Sequence, residues 1–246
     1  MYSSRLTHGP VALAFTDRHG GVSRAPFDSL NLAWAGDDPE ALEENHRLLA
    51  ADFAPGDPVA ALSQVHGNDV AYVGPDGPST TLHGHLHAQA DGVVTDQPAV
   101  TLMVRGADCA MVLFADAEAG VIGGCHCGRP GLVVGVVPAT LRRMRELGAR
   151  DITAWLGPHV CGACYEVPQE MQDEVAAAVP ESRATTSWGT PSVDVGAGIR
   201  AQLAAEDVAC VDLSVCTRES PDLYSYRRDR LTSGRQAGVI RMAAPR

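Results

Sequence analysis

There is no lysine in this chain of 246 residues, and all 19 of its basic residues are arginine. That absence excludes a Walker P-loop, which needs its lysine, and the Schiff-base chemistry of pyridoxal-phosphate enzymes and aldolases, which needs an amine. Positive charge is scarce in general. The 30 acidic residues outnumber the basic ones and give a formal charge of −11, and a field of that sign repels nucleic acid. It repels phosphate too, so an anion site has to be built from a local cluster of arginines. No apolar run approaches the roughly 18 residues of a membrane span, and Met1 to His8 hold no stretch resembling a signal peptide. The expectation is a cytoplasmic protein with neither a membrane nor a nucleic-acid partner. No internal repeat and no linker rich in Pro, Gly or Ser divides the chain, so residues 1–246 are expected to form a single domain.

What is present is ordinary globular material, 45% hydrophobic and 20% charged. A chain of this mass buries roughly 70% of its surface on folding. Seven cysteines, an odd number, point to reduced thiols rather than a disulfide framework. Short apolar runs over 11–15, 60–65, 70–73, 100–104, 110–114, 120–125, 152–156 and 208–215 read as strands. Asp38-Pro39-Glu40 opens a helix, residues 131–147 read as a helix that Pro138 kinks, and 168–179 and 195–205 read as helices. Residues 74–90 read as a loop. Strands and helices interleave without strict alternation, so the expected fold class is α/β, a layered mixed-sheet arrangement of α+β character.

Three polar groups stand at the ends of apolar strands: His66, Cys109 and His126. A His₂Cys set with one open position suits a catalytic Zn²⁺, whose bound water titrates near 7. The same residues also admit a plainer role, as two hydrogen-bonded histidines and a core thiol. A rival set pairs Cys125-x-Cys127 with Cys161-x-x-Cys164 as a closed Cys₄ zinc, with thiol packing as the alternative. His83, His85 and His87 form an imidazole-rich loop. Arg218, Arg227, Arg228, Arg230 and Arg235 cluster near the C-terminus, with Arg18 and Arg129 elsewhere. Guanidinium groups bind phosphate bidentately, although a solvated basic face is the alternative.

Together these segments resemble the YfiH or DUF152 family of laccase-domain, polyphenol-oxidase-like proteins. The resemblance runs from about Phe15 to Met242 through Thr16-Asp17-Arg18-His19-Gly20-Gly21, Leu30-Asn31-Leu32, Gln64-Val65-His66-Gly67, Ala90-Asp91-Gly92, Ala107-Asp108-Cys109, His126-x-Gly128 and Ser225-Tyr226-Arg227-Arg228-Asp229. It implies a stacked α/β domain binding one zinc through His66, Cys109 and His126, with copper as the alternative metal. It further implies a purine nucleoside phosphorylase of broad specificity, acting on adenosine, inosine, guanosine and methylthioadenosine, with possible deamination of adenosine. A copper polyphenol oxidase and a peptidoglycan editing factor are the other roles described in such proteins. On this reading Cys109, Arg227 and Arg228 serve catalysis, and Arg18, Asn31, Gln64 and Arg227 bind phosphate and substrate. One departure stands out: Cys127-Gly128-Arg129-Pro130-Gly131 replaces the family's Ala-Gly-Trp-Arg-Gly, so the Trp that would stack on a base is missing.

Overall fold

The computed structural model describes residues 1–76 and 85–244, with the backbone alone at 85–88. The chain opens with β1 (Tyr2–His8), β2 (Val11–Thr16) and α1 (Pro39–Phe53), then β3 (Val59–Ser63), β4 (Val70–Tyr72), β5 (His85–Gln89) and β6 (Gly92–Thr95). It continues through β7 (Thr101–Gly106), β8 (Ala110–Asp116), β9 (Val121–Cys127), α2 (Arg129–Val134), α3 (Val136–Glu146) and β10 (Thr153–Leu156). After α4 (Gln169–Ala178) come β11 (Arg183–Thr185), β12 (Pro191–Val193), α5 (Val195–Ala205), β13 (Ala209–Asp212), α6 (Tyr226–Asp229) and β14 (Gln236–Met242).

Two mixed six-stranded sheets form the middle of the molecule, in the orders β1-β2-β14-β7-β3-β5 and β13-β10-β8-β9-β6-β4. Period-two alternation decides which side chain enters which layer. Along β8, Met111 and Leu113 point at the first sheet, where they meet Leu13, Phe15, Leu102, Val104 and Ile240. Between them, Ala110, Val112 and Phe114 point the other way, onto Leu132, Val136, Leu141, Met144 and Ile199 of the helices. The outer face of the first sheet, with Ala14, Met103 and Val239, is covered by Leu30, Leu32 and by Leu49 and Phe53 of α1. The result is four layers, helix and loop on sheet on sheet on helices. Each central strand is buried on both faces, which is why these strands read as unbroken apolar runs. Truncating one such side chain, Leu113 for instance, costs about 2–5 kcal/mol.

Local chemistry explains the element ends. Asp38 caps α1 by accepting from the Glu40 N–H, with Pro39 in the first turn. Asp194 caps α5 by accepting from the Ala197 N–H. The helix expected over 131–147 is two helices, and the break is at Gly135, whose φ of 77° is open to glycine at little steric cost. Pro138 lies in the first turns of α3, where its missing N–H does no harm. The loop expected over 74–90 ends in a strand, since β5 pairs in parallel with β3. Of the imidazole-rich segment, His83 lies outside the described residues, as do the side chains of His85 and His87. The strands β1, β6, β11 and β14 were not among the expected runs.

Candidate metal centre and pocket

The ends of both sheets meet at one place. His66 follows β3, Cys109 lies between β7 and β8, and His126 is the penultimate residue of β9. Their donor atoms all lie within 4.8 Å of one another. Cys109 Sγ is 3.7 Å from His66 Nε2, and the two imidazole rings meet edge to face with centroids 4.8 Å apart. Burial is graded across the trio, with His126 buried, Cys109 half-buried and His66 exposed. One side of the trio therefore faces solvent. Alternation along β9 sends His126 to the inter-sheet side while Cys125 and Cys127 enter the helix-side core.

The backbone at the site is held under strain. His66 has φ 64° and Asp108 has φ 86°, a region that costs a non-glycine residue of order 1–3 kcal/mol. The neighbours that enforce it are visible. Asp91, fully buried, accepts the N–H groups of Val65 at 3.0 Å and Gly67 at 2.7 Å through one oxygen. Its other oxygen stands 2.8 Å from His126 Nδ1. One carboxylate thus fixes the His66 loop and leaves His126 Nε2 to face Cys109, the usual job of a carboxylate behind a metal-binding histidine. Asp108 accepts from the Thr217 hydroxyl at 2.6 Å and from the Arg227 N–H at 2.5 Å. It therefore anchors the start of α6 rather than facing the cavity with a free oxygen.

Electrostatics prepare the thiol of the trio for ligation. Burial by itself would raise the Cys109 thiol, but the charge of His126 and hydrogen bonds from both histidines outweigh it and bring the thiol down to about 6. Burial would lower His126, but the Cys109 charge and Asp91 raise it to about 9. The favoured pair is thiolate beside imidazolium: the thiolate is already in the form that binds metals, and the imidazolium gives up its proton on ligation. Gly128 closes the back of the site. A Cβ there would lie 2.8 Å from Cys109 Sγ and 2.8 Å from His66 Cδ2. The donor set, the carboxylate behind it and the glycine that makes room for it all fit one transition-metal ion.

The trio forms the floor of a cavity of about 550 Å³, walled by Trp34, Gln64, Arg105, Arg129, Tyr165, Tyr226, Arg227, Arg230 and Arg235 among others. A chain of charge −11 thus gathers five arginines around one pocket. Arg105 is the least expected, because it sits within β7, one residue from its end, and is buried. Burial and the Arg235 charge bring it down to about 9, still a cation at neutral pH. Its guanidinium donates to the carbonyls of Leu62 and Leu32 and stacks over Trp34 at 4.4 Å. Arg235, pushed down by burial, donates to the carbonyls of Ser233 and Gly234. Among the described residues neither forms an ion pair with a carboxylate. Two partly desolvated cations with no carboxylate paired to them favour an incoming anion.

Of the residues singled out from the sequence, Gln64, His66, Cys109, His126, Arg129, Arg227, Arg230 and Arg235 line this cavity. Gln64 does so as a brace, donating to the Arg105 carbonyl at 2.7 Å and accepting its N–H at 2.9 Å. Arg227 stacks over Tyr165 at 4.4 Å and donates to the Glu166 carbonyl. The structure places three others outside the lining. Arg228 donates to the carbonyls of Thr217, Ser220 and Leu223 and pairs with Asp229. Arg18 donates to the Asp28 carbonyl and stacks on Tyr224. Asn31 accepts the Arg235 N–H at 2.9 Å and donates to Asp37. Arg105, Asp91 and Trp34 were not assigned a role from sequence. The rival Cys₄ set is not assembled, because Cys125 and Cys127 are in the helix-side core and Cys161 and Cys164 stand with Cys216 and Glu219.

The profile of the multi-copper polyphenol oxidoreductase laccase family matches residues 12–243. A protein named purine nucleoside phosphorylase from Streptomyces griseus is 52% identical, over 94% of each chain. One of the same name from Streptomyces coelicolor is 50% identical, over 98% of this chain and 99% of that one. Among solved structures, a DUF152 protein of Neisseria meningitidis superposes with a TM-score of 0.85 at 30% identity over 99% of both chains. YlmD of Geobacillus stearothermophilus does so at 0.87 and 29% identity, over 96% of this chain and 93% of that one.

Proposed function

The chain belongs to the multi-copper polyphenol oxidoreductase laccase family, and from that premise we propose that it is a zinc-dependent purine nucleoside phosphorylase. Its substrates are adenosine, inosine, guanosine and methylthioadenosine, together with inorganic phosphate, and deamination of adenosine is a second activity. The observation that most supports this is a three-donor floor beneath an arginine wall, within one cavity of nucleoside size. Relatives over nearly the whole chain carry the name of that enzyme.

His66, Cys109 and His126 would hold the ion, which when bound supplies a Lewis acid at the pocket floor. Phosphorolysis forms a bond from a phosphate oxygen to C1′ of the ribose while the C1′–N9 bond breaks and its electron pair leaves with the purine, which takes up a proton. Arg227 and Arg235 would hold the phosphate, with Arg105 adding its field from below. Each charge-assisted hydrogen bond contributes about 1.5–3 kcal/mol. Placing the anion against the sugar is the larger part of the rate gain. Trp34, Tyr165 and Tyr226 offer the aromatic surface that the missing Trp after Gly128 would otherwise provide. Arg228, turned to carbonyls, acts as a positioning residue for the turn that carries Arg227.

The family's description favours a second reading, a copper polyphenol oxidase, and His₂Cys also suits copper. That chemistry uses several copper centres, typically rich in histidine. Among the described residues the other donor cluster contains no histidine. We place the protein in the cytoplasm, where its seven free thiols match a reducing milieu. No helix among the described residues is long and apolar enough to cross a membrane.

The test is release of free base from inosine and adenosine by the zinc-loaded protein. Base is expected only when phosphate is present, and Cys109→Ala is expected to abolish its release while leaving the circular dichroism spectrum unchanged. Equal turnover by wild type and Cys109→Ala, or turnover indifferent to phosphate, contradicts the proposal.

A further inference from the structure

Cys161 and Cys164 lie outside the lining of the pocket, and the fold brings two more donors to them. The sulfurs of Cys161, Cys164 and Cys216 and a carboxylate oxygen of Glu219 all lie within 4.8 Å of one another. In a tetrahedral zinc site with Zn–S bonds near 2.3 Å, neighbouring sulfurs stand about 3.8 Å apart. The four donors are thus already close to the spacing that a single ion requires.

The backbone around them is built to hold this arrangement. The chain turns tightly at Cys161, whose carbonyl accepts the N–H groups of both Cys164 and Tyr165 at 3.0 Å. It turns again at Cys216, whose carbonyl accepts the Ser220 N–H at 3.0 Å. Cys216 is bridged to His159 in parallel register, and the Thr217 N–H donates to the His159 carbonyl at 3.1 Å. The Cys161 N–H points at Cys216 Sγ from 3.5 Å, the amide-to-sulfur contact that supports a thiolate. Cys164 is buried, Cys161 and Cys216 are half-buried and Glu219 is exposed, so the cluster has a dry floor and one polar rim through which an ion enters. Arg218 donates to the Cys164 carbonyl at 3.2 Å and stands beside a cluster that would carry net negative charge when loaded.

We propose that Cys161, Cys164, Cys216 and Glu219 form a second, closed zinc site that fastens the 161–166 segment to the 216–219 segment. Three thiolates exclude the hard cations magnesium and calcium, and four protein donors leave no open position, which marks a structural site rather than a catalytic one. A disulfide between any two of the thiols would strand the third beside the carboxylate. The staple matters to the pocket because both segments lead into its wall. Tyr165 lies under Arg227, Glu166 accepts from Arg227, and Thr217 donates to Asp108, which also holds the Arg227 N–H.

Metal content of the full chain, purified under reducing conditions and measured by elemental analysis, tests this. Wild type is expected to hold two zinc ions per chain. Cys161→Ser/Cys216→Ser and Cys109→Ala are each expected to hold one, and the combination none. Cobalt substitution reads the same question without relying on a stable double variant. The wild-type cobalt protein is expected to show thiolate-to-cobalt charge transfer from both sites, with the larger part retained in Cys109→Ala and weakened by Cys161→Ser or Cys216→Ser, each of which removes one of three thiolates. Zinc content unchanged by Cys161→Ser/Cys216→Ser overturns the proposal, as does a disulfide among these three cysteines found by mass spectrometry of the freshly purified protein. Either result leaves the pocket-floor site standing, whereas loss of zinc in the double variant but not in Cys109→Ala would overturn the pocket-floor site alone.

Discussion

Gly128→Ala is a one-carbon perturbation whose effect can be worked from distances. The added methyl would stand 2.8 Å from both Cys109 Sγ and His66 Cδ2, where ordinary contact begins at 3.4 Å. Each group must recede by about 0.6 Å, or the β9–α2 connection must move by the same amount. Neither can yield freely, because Asp91 pins the His66 loop through two backbone amides and Cys109 is set by the short β7–β8 connection. Catalytic constellations tolerate about 0.5 Å of error, and a misplacement near 1 Å costs about 100-fold in rate. The expected outcome is a fall in kcat/KM of about 30- to 100-fold, roughly 2–2.7 kcal/mol of transition-state stabilisation. Overpacking costs a further 1–3 kcal/mol of stability. Phosphate-dependent release of hypoxanthine from inosine, zinc content and a thermal melt read the three quantities on one sample. A Gly128→Ala protein with wild-type activity and zinc content would refute the placement of both donors against this glycine.

Three further outcomes follow from the same contacts. Asp91→Asn removes the charge behind His126 and one acceptor for the His66 loop, and zinc affinity measured by chelator competition is expected to fall about 10- to 100-fold. Arg227→Ala is expected to raise the KM for phosphate by about 10- to 100-fold, the equivalent of one lost charge-assisted pair, with a smaller change in the KM for nucleoside in steady-state assays. Asp116 tests the scaffold. Burial by itself would raise it, but backbone amides of Glu118, Ala119, Arg150 and Asp151 hold it below its ordinary 3.8. Its folded value is the lower one, so its contribution is full above 3.8 and is lost as pH falls through the folded value. Asp116→Asn is accordingly expected to cost about 1–3 kcal/mol at neutral pH and to converge with wild type at the acid end of a denaturation series. A gap that widened as pH fell would contradict this assignment.

The parts legible in the sequence were those with a short-range signature. Apolar runs located most strands, and Asp38-Pro39 marked one helix start. His66, Cys109 and His126 stood out because each interrupts or ends an apolar run with a group that a core seldom keeps unpaired. What escaped were contacts between residues far apart in the chain. Arg105 directly follows the apolar run 100–104, and its partners Gln64 and Leu32 come from distant parts of the chain. Cys216 and Glu219 lie more than 50 residues beyond Cys164 and form no paired motif, whereas Cys-x-Cys beside Cys-x-x-Cys suggested Cys125 and Cys127 instead. Strand alternation then put those two thiols in the helix-side core. The break at Gly135 rather than Pro138 follows from position, since proline is tolerated in the first turn of a helix.

X-ray absorption at the zinc edge, on Cys161→Ser/Cys216→Ser protein loaded with one equivalent of zinc, tests the pocket-floor centre most directly. The account predicts a first shell of two imidazole nitrogens near 2.0–2.1 Å and one sulfur near 2.3 Å, with room for one light ligand. A shell without sulfur, or one unchanged by Cys109→Ala, would contradict it.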